Sequence, residues 1–179
     1  MKNFFCFLVL ASFISSCSSD DELTAGPNTI TANDFESLAG WVGGDQATLT
    51  KTRAHSGKYA LEVSNGHDFS LTYDAVLGQI SPRKLKKVRL EAWAFRPNPN
   101  AKGVLGIQIV DPAQDNKPVA GDGIYLESEV KEFNKWVKVS KDITLPDNLV
   151  YTQHLRLFLW RGAGSEPNYV DDVSLTILD

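Results

Sequence analysis

From Thr29 to the end of the chain, apolar and polar residues alternate in short runs broken by Gly, Pro, Asn and Asp. A period of two marks strands, whose successive side chains point to opposite faces. The pattern predicts strands at Ala47 to Lys51, Lys58 to Ser64, Phe69 to Tyr73, Lys86 to Arg96, Gly103 to Val110, Ile124 to Glu127, Trp136 to Leu145, His154 to Arg161 and Tyr169 to Leu178. Turn residues separate them, notably Ser56 and Gly57, Asn65 and Gly66, Gly121 to Gly123, and Gly162 to Pro167. Helical periodicity is almost absent. The expected class is all-β, an antiparallel two-sheet sandwich or jelly roll, with its longest loops at Pro97 to Lys102 and Asp111 to Gly123.

Parity along the strands sorts side chains into a core face and an outer face. In the last strand Val173, Leu175 and Ile177 share one face, and Asp171 has the same parity. A carboxylate turned toward a core costs several kcal/mol unless it is paired or binds a metal. Its partner is expected to be a basic side chain such as Arg53 or Lys58, or a cation shared with a second acid, for which Glu36 is the candidate. Calcium suits such a site, because it takes carboxylate and carbonyl oxygens in flexible geometry; the alternative is a solvated strand end. Two further strands have unusual outer faces: Arg89, Glu91, Trp93 and Phe95 lie opposite Val88, Leu90, Ala92 and Ala94, and His154, Arg156, Phe158 and Trp160 lie opposite Leu155, Leu157 and Leu159. Gln108 stands opposite Leu105, Ile107 and Ile109. If these strands share one sheet, indoles and planar polar groups combine into a surface suited to a sugar, whose ring stacks on an aromatic while its hydroxyls are hydrogen-bonded. Otherwise the two tryptophans are covered by a loop or fill the second face of a sheet.

The first residues read differently. Lys2, an apolar run from Phe4 to Ile14 and small polar residues before Cys17 have the layout of a secretory signal over residues 1–16. The run is short of the roughly 20 residues that span a bilayer. Ile14, Ser15, Ser16 and Cys17 resemble the bacterial lipobox, which implies diacylation of Cys17 and a membrane anchor through that lipid. Cys6 falls in the removed segment, so no disulfide is expected to hold the fold. Asp20, Asp21 and Glu22 resemble the surface-export signal of lipoproteins in one group of Gram-negative bacteria, which implies the outward leaflet of the outer membrane. Residues 17–28 are then an acidic tether and residues 29–179 a single domain. Losing Lys2 moves the formal charge from −4 to −5. No basic block remains to follow a phosphate backbone, so nucleic acid is not an expected partner.

Several segments in order resemble the carbohydrate-binding modules of the galactose-binding-like jelly-roll superfamily, especially those attached to xylanases and glucanases. They are Phe35 and Glu36 followed by Gly40 and Trp41; His55 to Leu61; Trp136 to Val139; and Tyr169 to Leu175. The resemblance implies a structural calcium ion held by Glu36, by carbonyls of the Ser56 to Lys58 turn, and by Asp171. It departs before Phe35, where Ala32, Asn33 and Asp34 stand in place of the Asn and Gly frequent in the family.

The function expected is non-catalytic binding of a polysaccharide or oligosaccharide at the cell surface, with Trp93, Trp160, Arg89, Glu91, Arg156, Phe158 and Gln108 as contacts. An alternative is a structural or protein-interaction subunit of an outer-membrane assembly, docking through the aromatic face. A glycan-active hydrolase or lyase is the third reading. Hydrolysis generally uses two carboxyls flanking a cleft, and Glu91 is the one acid that parity places on the aromatic face.

Overall fold

The computed structural model describes Leu23 and residues 25–178. The segment expected to be a signal peptide, Cys17 and the acids Asp20 to Glu22 lie outside the described residues, and among the described residues no helix is long and apolar enough to cross a membrane. Eleven strands follow in order: β1 (Thr29–Asn33), β2 (Gly43–Gly44), β3 (Leu49–Thr50), β4 (Ala60–Val63), β5 (Phe69–Val76), β6 (Lys87–Phe95), β7 (Val104–Asp111), β8 (Lys117–Tyr125), β9 (Trp136–Thr144), β10 (His154–Trp160) and β11 (Asn168–Ile177). Two single-turn helices, α1 (Leu77–Ile80) and α2 (Leu126–Glu129), sit in connections. One sheet runs β3-β4-β11-β6-β9 with β1 also on β11, and the other runs β2-β5-β10-β7-β8. Every pairing is antiparallel. This is the all-β two-sheet sandwich that alternation predicts.

Inner faces meet as expected. Leu61, Val88, Leu90, Val170, Val173 and Leu175 from the first sheet pack against Leu71, Leu105, Ile107, Leu155, Leu157 and Leu159 from the second, all 3% exposed or less. Each such side chain contributes about 1.5–3 kcal/mol by leaving water. Trp41 closes one side: it is fully buried, its Nε1 donates to Thr31 Oγ1 at 3.2 Å, and Phe35 meets it edge-on at 5.2 Å. The sandwich has two ends. At the base are the approach to β1, the segments 77–86, 111–116 and 145–153, and Leu178, joined by Gly78 N–H to Tyr151 O, Leu145 N–H to Lys86 O and Leu178 N–H to Lys87 O. At the crown are residues 64–68, 96–103, 126–135 and 161–167.

Four expectations are corrected. Most of the predicted loop Asp111 to Gly123 is β8, because the reversal is made earlier, where Asp115 and Asn116 take left-handed backbone at φ 54° and 56°. Strand Ile124 to Glu127 ends at Tyr125 and turns into α2. Asp171 does not share a face with Leu175: it pairs with Trp93 and therefore faces outward. The cause is a bulge between Asp171 and Ser174, with Asp172 at φ 48°, just where β11 changes partner from β4 to β1. One extra residue inverts every parity assignment beyond it. Finally, β6 lies in one sheet while β7 and β10 lie in the other. Trp93, Arg89 and Glu91 are therefore on the opposite outer face from Trp160, Phe158, Arg156 and Gln108, and the single shared surface expected of them does not exist. Sequence distance carries no information on which sheet a strand joins.

Candidate functional site

On the outer face of the first sheet, Trp93 is covered. The segment 53–59 folds over it, with the His55 ring stacked on the indole at 4.0 Å and edge-on to Trp136 at 5.8 Å. His55 Nδ1 lies 2.5 Å from Asp172 Oδ2, and Ser56 Oγ donates to Asp172 Oδ1 at 2.7 Å. Arg53 does not pair with Asp171; its guanidinium lies 3.9 Å over the Phe95 ring. Arg89 forms a two-bond fork with Asp142, whose carboxyl is held down to about 2 by hydrogen bonds from Arg89 and Lys87.

The same segment organises both acids singled out by sequence. Glu36 Oε1 accepts from the backbone N–H groups of Lys58 and Tyr59, at 2.5 and 2.9 Å. Asp171, fully buried, accepts from His55 and Ser56 N–H at 2.7 and 3.1 Å on Oδ2, and from Asp172 N–H at 2.8 Å on Oδ1. Gly57 is required here: its φ is +54°, and a Cβ would stand 2.4 Å from Glu36 Oε1. Burial first, then the neighbouring charge of Asp172, pushes the Asp171 carboxyl up to about 7 against those three donors. Glu36, Ser56 to Lys58 and Asp171 are thus brought to one turn. The turn meets them with N–H donors, a third kind of partner besides a basic side chain or a cation, and no three His, Cys, Asp or Glu side chains cluster as a metal set among the described residues. Hard-oxygen chemistry is still on offer, because Glu36 Oε2 takes none of these bonds and Asp171 Oδ1 only one.

The outer face of the second sheet is open, and its register lays side chains in rows across the strands. Nearest the crown, Phe69, Trp160, Val104 and Tyr125 follow one another on β5, β10, β7 and β8. Phe69, Trp160 and Tyr125 are 52%, 41% and 56% exposed. Phe69 stacks parallel to Trp160 at 6.2 Å and meets Phe158 edge-on at 5.7 Å. The next row is Gly43, Thr72, Phe158, Gly106 and Gly123, and the third is Asp74, Arg156, Gln108 and Gly121. With no side chains at Gly106, Gly121 and Gly123, the β7–β8 side forms the floor of a trough between an aromatic and a polar bank. Arg156 Nε donates to Asp74 Oδ2 at 2.8 Å and its Nη2 to Asn116 Oδ1 at 3.0 Å, while His154 Nδ1 lies 2.5 Å from Asp74 Oδ1. Burial raises the Asp74 pKa, but the bonds from Arg156 and His154 outweigh it and leave the carboxyl lowered and ionised.

Of the predicted contacts, Trp160, Phe158, Arg156 and Gln108 are gathered on this face. Phe69, Tyr125, Asp74 and the glycine floor were missed. Plain alternation assigns Phe69 to the core with Leu71 and Tyr73; a bulge opposite Phe158 and Trp160 turns it outward. The available signal for the floor was Gly121 and Gly123, two residues apart and so on one face of a strand, which a turn assignment hides.

Residues 27–163 match a family described as carbohydrate binding domain. Among solved structures, the CBM22-2 xylan-binding domain of Paenibacillus barcinonensis Xyn10C superposes with a TM-score of 0.52 at 18% identity, covering 83% of this chain and 99% of that one. The C-terminal family 22 carbohydrate-binding module of Clostridium thermocellum Xyn10B gives 0.53 at 13% identity, covering 84% and 93%. Against the tandem CBM22-1-CBM22-2 of the Paenibacillus enzyme the TM-score is 0.54 at 18% identity, and the chain spans 51% of that tandem's length. At these identities the likeness is one of fold. No curated protein matches the chain.

Proposed function

The chain belongs to this family of carbohydrate-binding domains, and from that premise we propose that the trough on the outer face of the second sheet holds a polysaccharide chain without cleaving it. The observation that carries the reading is the cross-strand row of exposed Phe69, Trp160 and Tyr125 beside a side-chain-free floor. Stacking on these rings takes up the apolar face of a pyranose, and the opposite bank offers Gln108, Arg156 and Asp74 to its hydroxyls. Four strands at about 4.8 Å spacing make the trough about 14 Å long and open along the sheet, a shape for a stretch of chain rather than a free monosaccharide.

The trough can be filled without disturbing the core. A Cβ on Gly106 would lie 3.7 Å from the Phe158 ring, an ordinary contact, so Gly106→Arg adds a side chain into the trough. On native affinity gels containing xylan, xyloglucan, mixed-linkage β-glucan or galactomannan, wild type is expected to be retarded by at least one polysaccharide and Gly106→Arg by none, with melting temperatures equal. Free migration of wild type through every gel, or equal retardation of the variant, would rule out the trough.

The protein is further proposed to be a lipoprotein anchored through Cys17 and displayed at the outer-membrane surface, where a glycan-binding face meets extracellular polysaccharide. Calcium is proposed at Glu36 and Asp171, with carbonyls of the Ser56 to Lys58 turn. What supports it is an acid pair at one turn, one member buried beside a second Asp and with no basic side chain against it. Bound calcium would supply positive charge there and pin the 53–59 segment over Trp93. At about 100 times its dissociation constant, a ligand specific for the folded state adds about 2.7 kcal/mol, or about 5–10 °C in a domain of this size. Millimolar calcium after EGTA treatment is expected to raise the melting temperature by that amount in wild type and not in Glu36→Gln. An unchanged wild-type value means that the N–H groups alone satisfy the two acids.

A further inference from the structure

The base of the sandwich carries a surface that the trough does not use. Five of the seven residues from Arg83 to Arg89 are basic, and no Asp or Glu occurs between Asp74 and Glu91, in a chain of formal charge −4. Lys87 and Arg89 turn to Asp142 on β9, at 3.1 and 2.7 Å. Arg83, Lys84 and Lys86 are exposed on the connection from α1 to β6. Lys84 Nζ donates to the Asp147 carbonyl at 2.6 Å, tying that connection to the one between β9 and β10. The second connection holds Val150 and Tyr151, 50% and 53% exposed. With Leu77, Leu85 and Leu149 they line a shallow apolar hollow rimmed by Arg83 and Lys84. Of the acids at this end, Asp111 and Asp115 lie on the β7–β8 turn under the far edge of the second sheet, while Asp147 is exposed on the β9–β10 connection itself and leaves the three cations in excess over it.

Cationic heads around exposed aliphatic and aromatic groups match a bilayer interface, with anionic phosphates outside and the acyl boundary beneath. The path of the chain points the same way. Thr29 pairs with Thr176 at the base, and the Asn28 carbonyl accepts from Ile177 N–H. From Cys17 to Thr29 the fully extended chain spans at most about 40 Å. An anchor on Cys17 therefore attaches at the base; its reach exceeds the roughly 23 Å height of the strands, so the anchor favours the base while the charge and apolar groups of that end are what hold it to lipid.

We propose that Arg83, Lys84, Lys86, Val150 and Tyr151 form a membrane-facing base that seats the domain on anionic phospholipid headgroups. The inference rests on the proposed anchor for its orientation but not for its chemistry. With the base down, Trp160 and Phe69 stand about 23 Å up the strands, clear of the membrane and facing sideways.

The mature chain with Cys17→Ser, which keeps every core residue and lacks the lipid, is mixed with sedimenting vesicles of phosphatidylcholine alone or with 30% phosphatidylglycerol. Binding is expected only to the anionic vesicles and is expected to fall with added salt. At about fivefold per basic residue, Arg83→Glu/Lys84→Glu/Lys86→Glu is expected to weaken it on the order of 100-fold. The matched crown variant Lys102→Glu/Lys131→Glu/Lys135→Glu is expected to bind like wild type, and Val150→Ser/Tyr151→Ser to bind less. Equal wild-type binding to both vesicles, or equal loss in both triple variants, overturns the base. So does binding that emerges only after Asp20→Asn/Asp21→Asn/Glu22→Gln, because the tether would then be the occupant. Incorporation of labelled palmitate at Cys17, scored separately in cells, tests the anchor, so either idea can fail alone.

Discussion

Arg96→Met is expected to destabilise the domain by about 3 kcal/mol, which is the largest loss foreseen for one surface-remote substitution. Arg96 is 3% exposed, and its guanidinium donates to the carbonyls of Ala101, Leu126, Val130 and Pro99 at 2.6, 3.3, 2.7 and 3.1 Å. Phe133 lies 5.3 Å from the same group, and the Arg96 carbonyl accepts from Asn134 N–H. One side chain thus ties the 97–101 connection, both ends of α2 and the segment after it into the crown. Burial lowers its pKa while the charge of Glu127 acts the other way, and no carboxylate is bonded to it, so carbonyl groups supply its hydrogen bonds. Methionine preserves much of the apolar stem but leaves carbonyls unpaired, at about 1–3 kcal/mol each where water cannot reach them. Urea denaturation measures the loss, and Arg96→Lys is expected to fall between the two because it keeps the charge without the planar fork. A loss below about 1 kcal/mol would show that water replaces the guanidinium. Because Tyr125 leads directly into α2, some loss of glycan retention is expected too.

Trp160→Ala is expected to reduce polysaccharide affinity about 30-fold at nearly unchanged stability. Aromatic residues central to a contact surface lose about 2 kcal/mol or more on truncation, and 1.4 kcal/mol is tenfold. Trp160 sits between Phe69 and Tyr125 in the row, is 41% exposed and lies on the strand face away from the core. Its removal therefore takes away a platform without opening a cavity. Trp93→Ala provides the contrast. That indole is stacked beneath His55 and pairs with Asp171, so its loss is expected to lower the melting temperature and leave affinity within about twofold. Calorimetric titration with the polysaccharide found on the gels, alongside thermal melts, separates the pair. Equal affinity losses in both variants would remove the assignment of the second sheet as the binding face.

These contrasts show how far alternation reaches. It placed β6, β7, β9, β10 and β11 within a residue or two, because a strand half-buried in a sandwich must alternate, but cut β5 short and read most of β8 as a loop. It also placed Trp160, Phe158, Arg156 and Gln108 on one outer face, since β10 and β7 pair without irregularity where those residues lie. It misplaced Asp171 and missed Phe69 for one shared reason. Each adjoins a bulge, and a bulge adds a residue to one strand that its own sequence does not mark. Asp171 is buried as expected, yet beneath the 53–59 segment on the outer face and not in the core between the sheets.

By itself the chain's order of residues determined the class of fold, most of the inward faces and the meeting of Glu36 and Asp171 at the 55–59 turn, because each depends on neighbours within a few positions or on a matched motif. Only the tertiary structure decided that Trp93 and Trp160 belong to different sheets, that one is capped and the other open, and that glycines on two strands share a floor. Those outcomes depend on which strands pair and where an extra residue is absorbed. Pairing is a balance of contacts between residues distant in sequence, here as far apart as His55 and Asp171, and no local pattern encodes it.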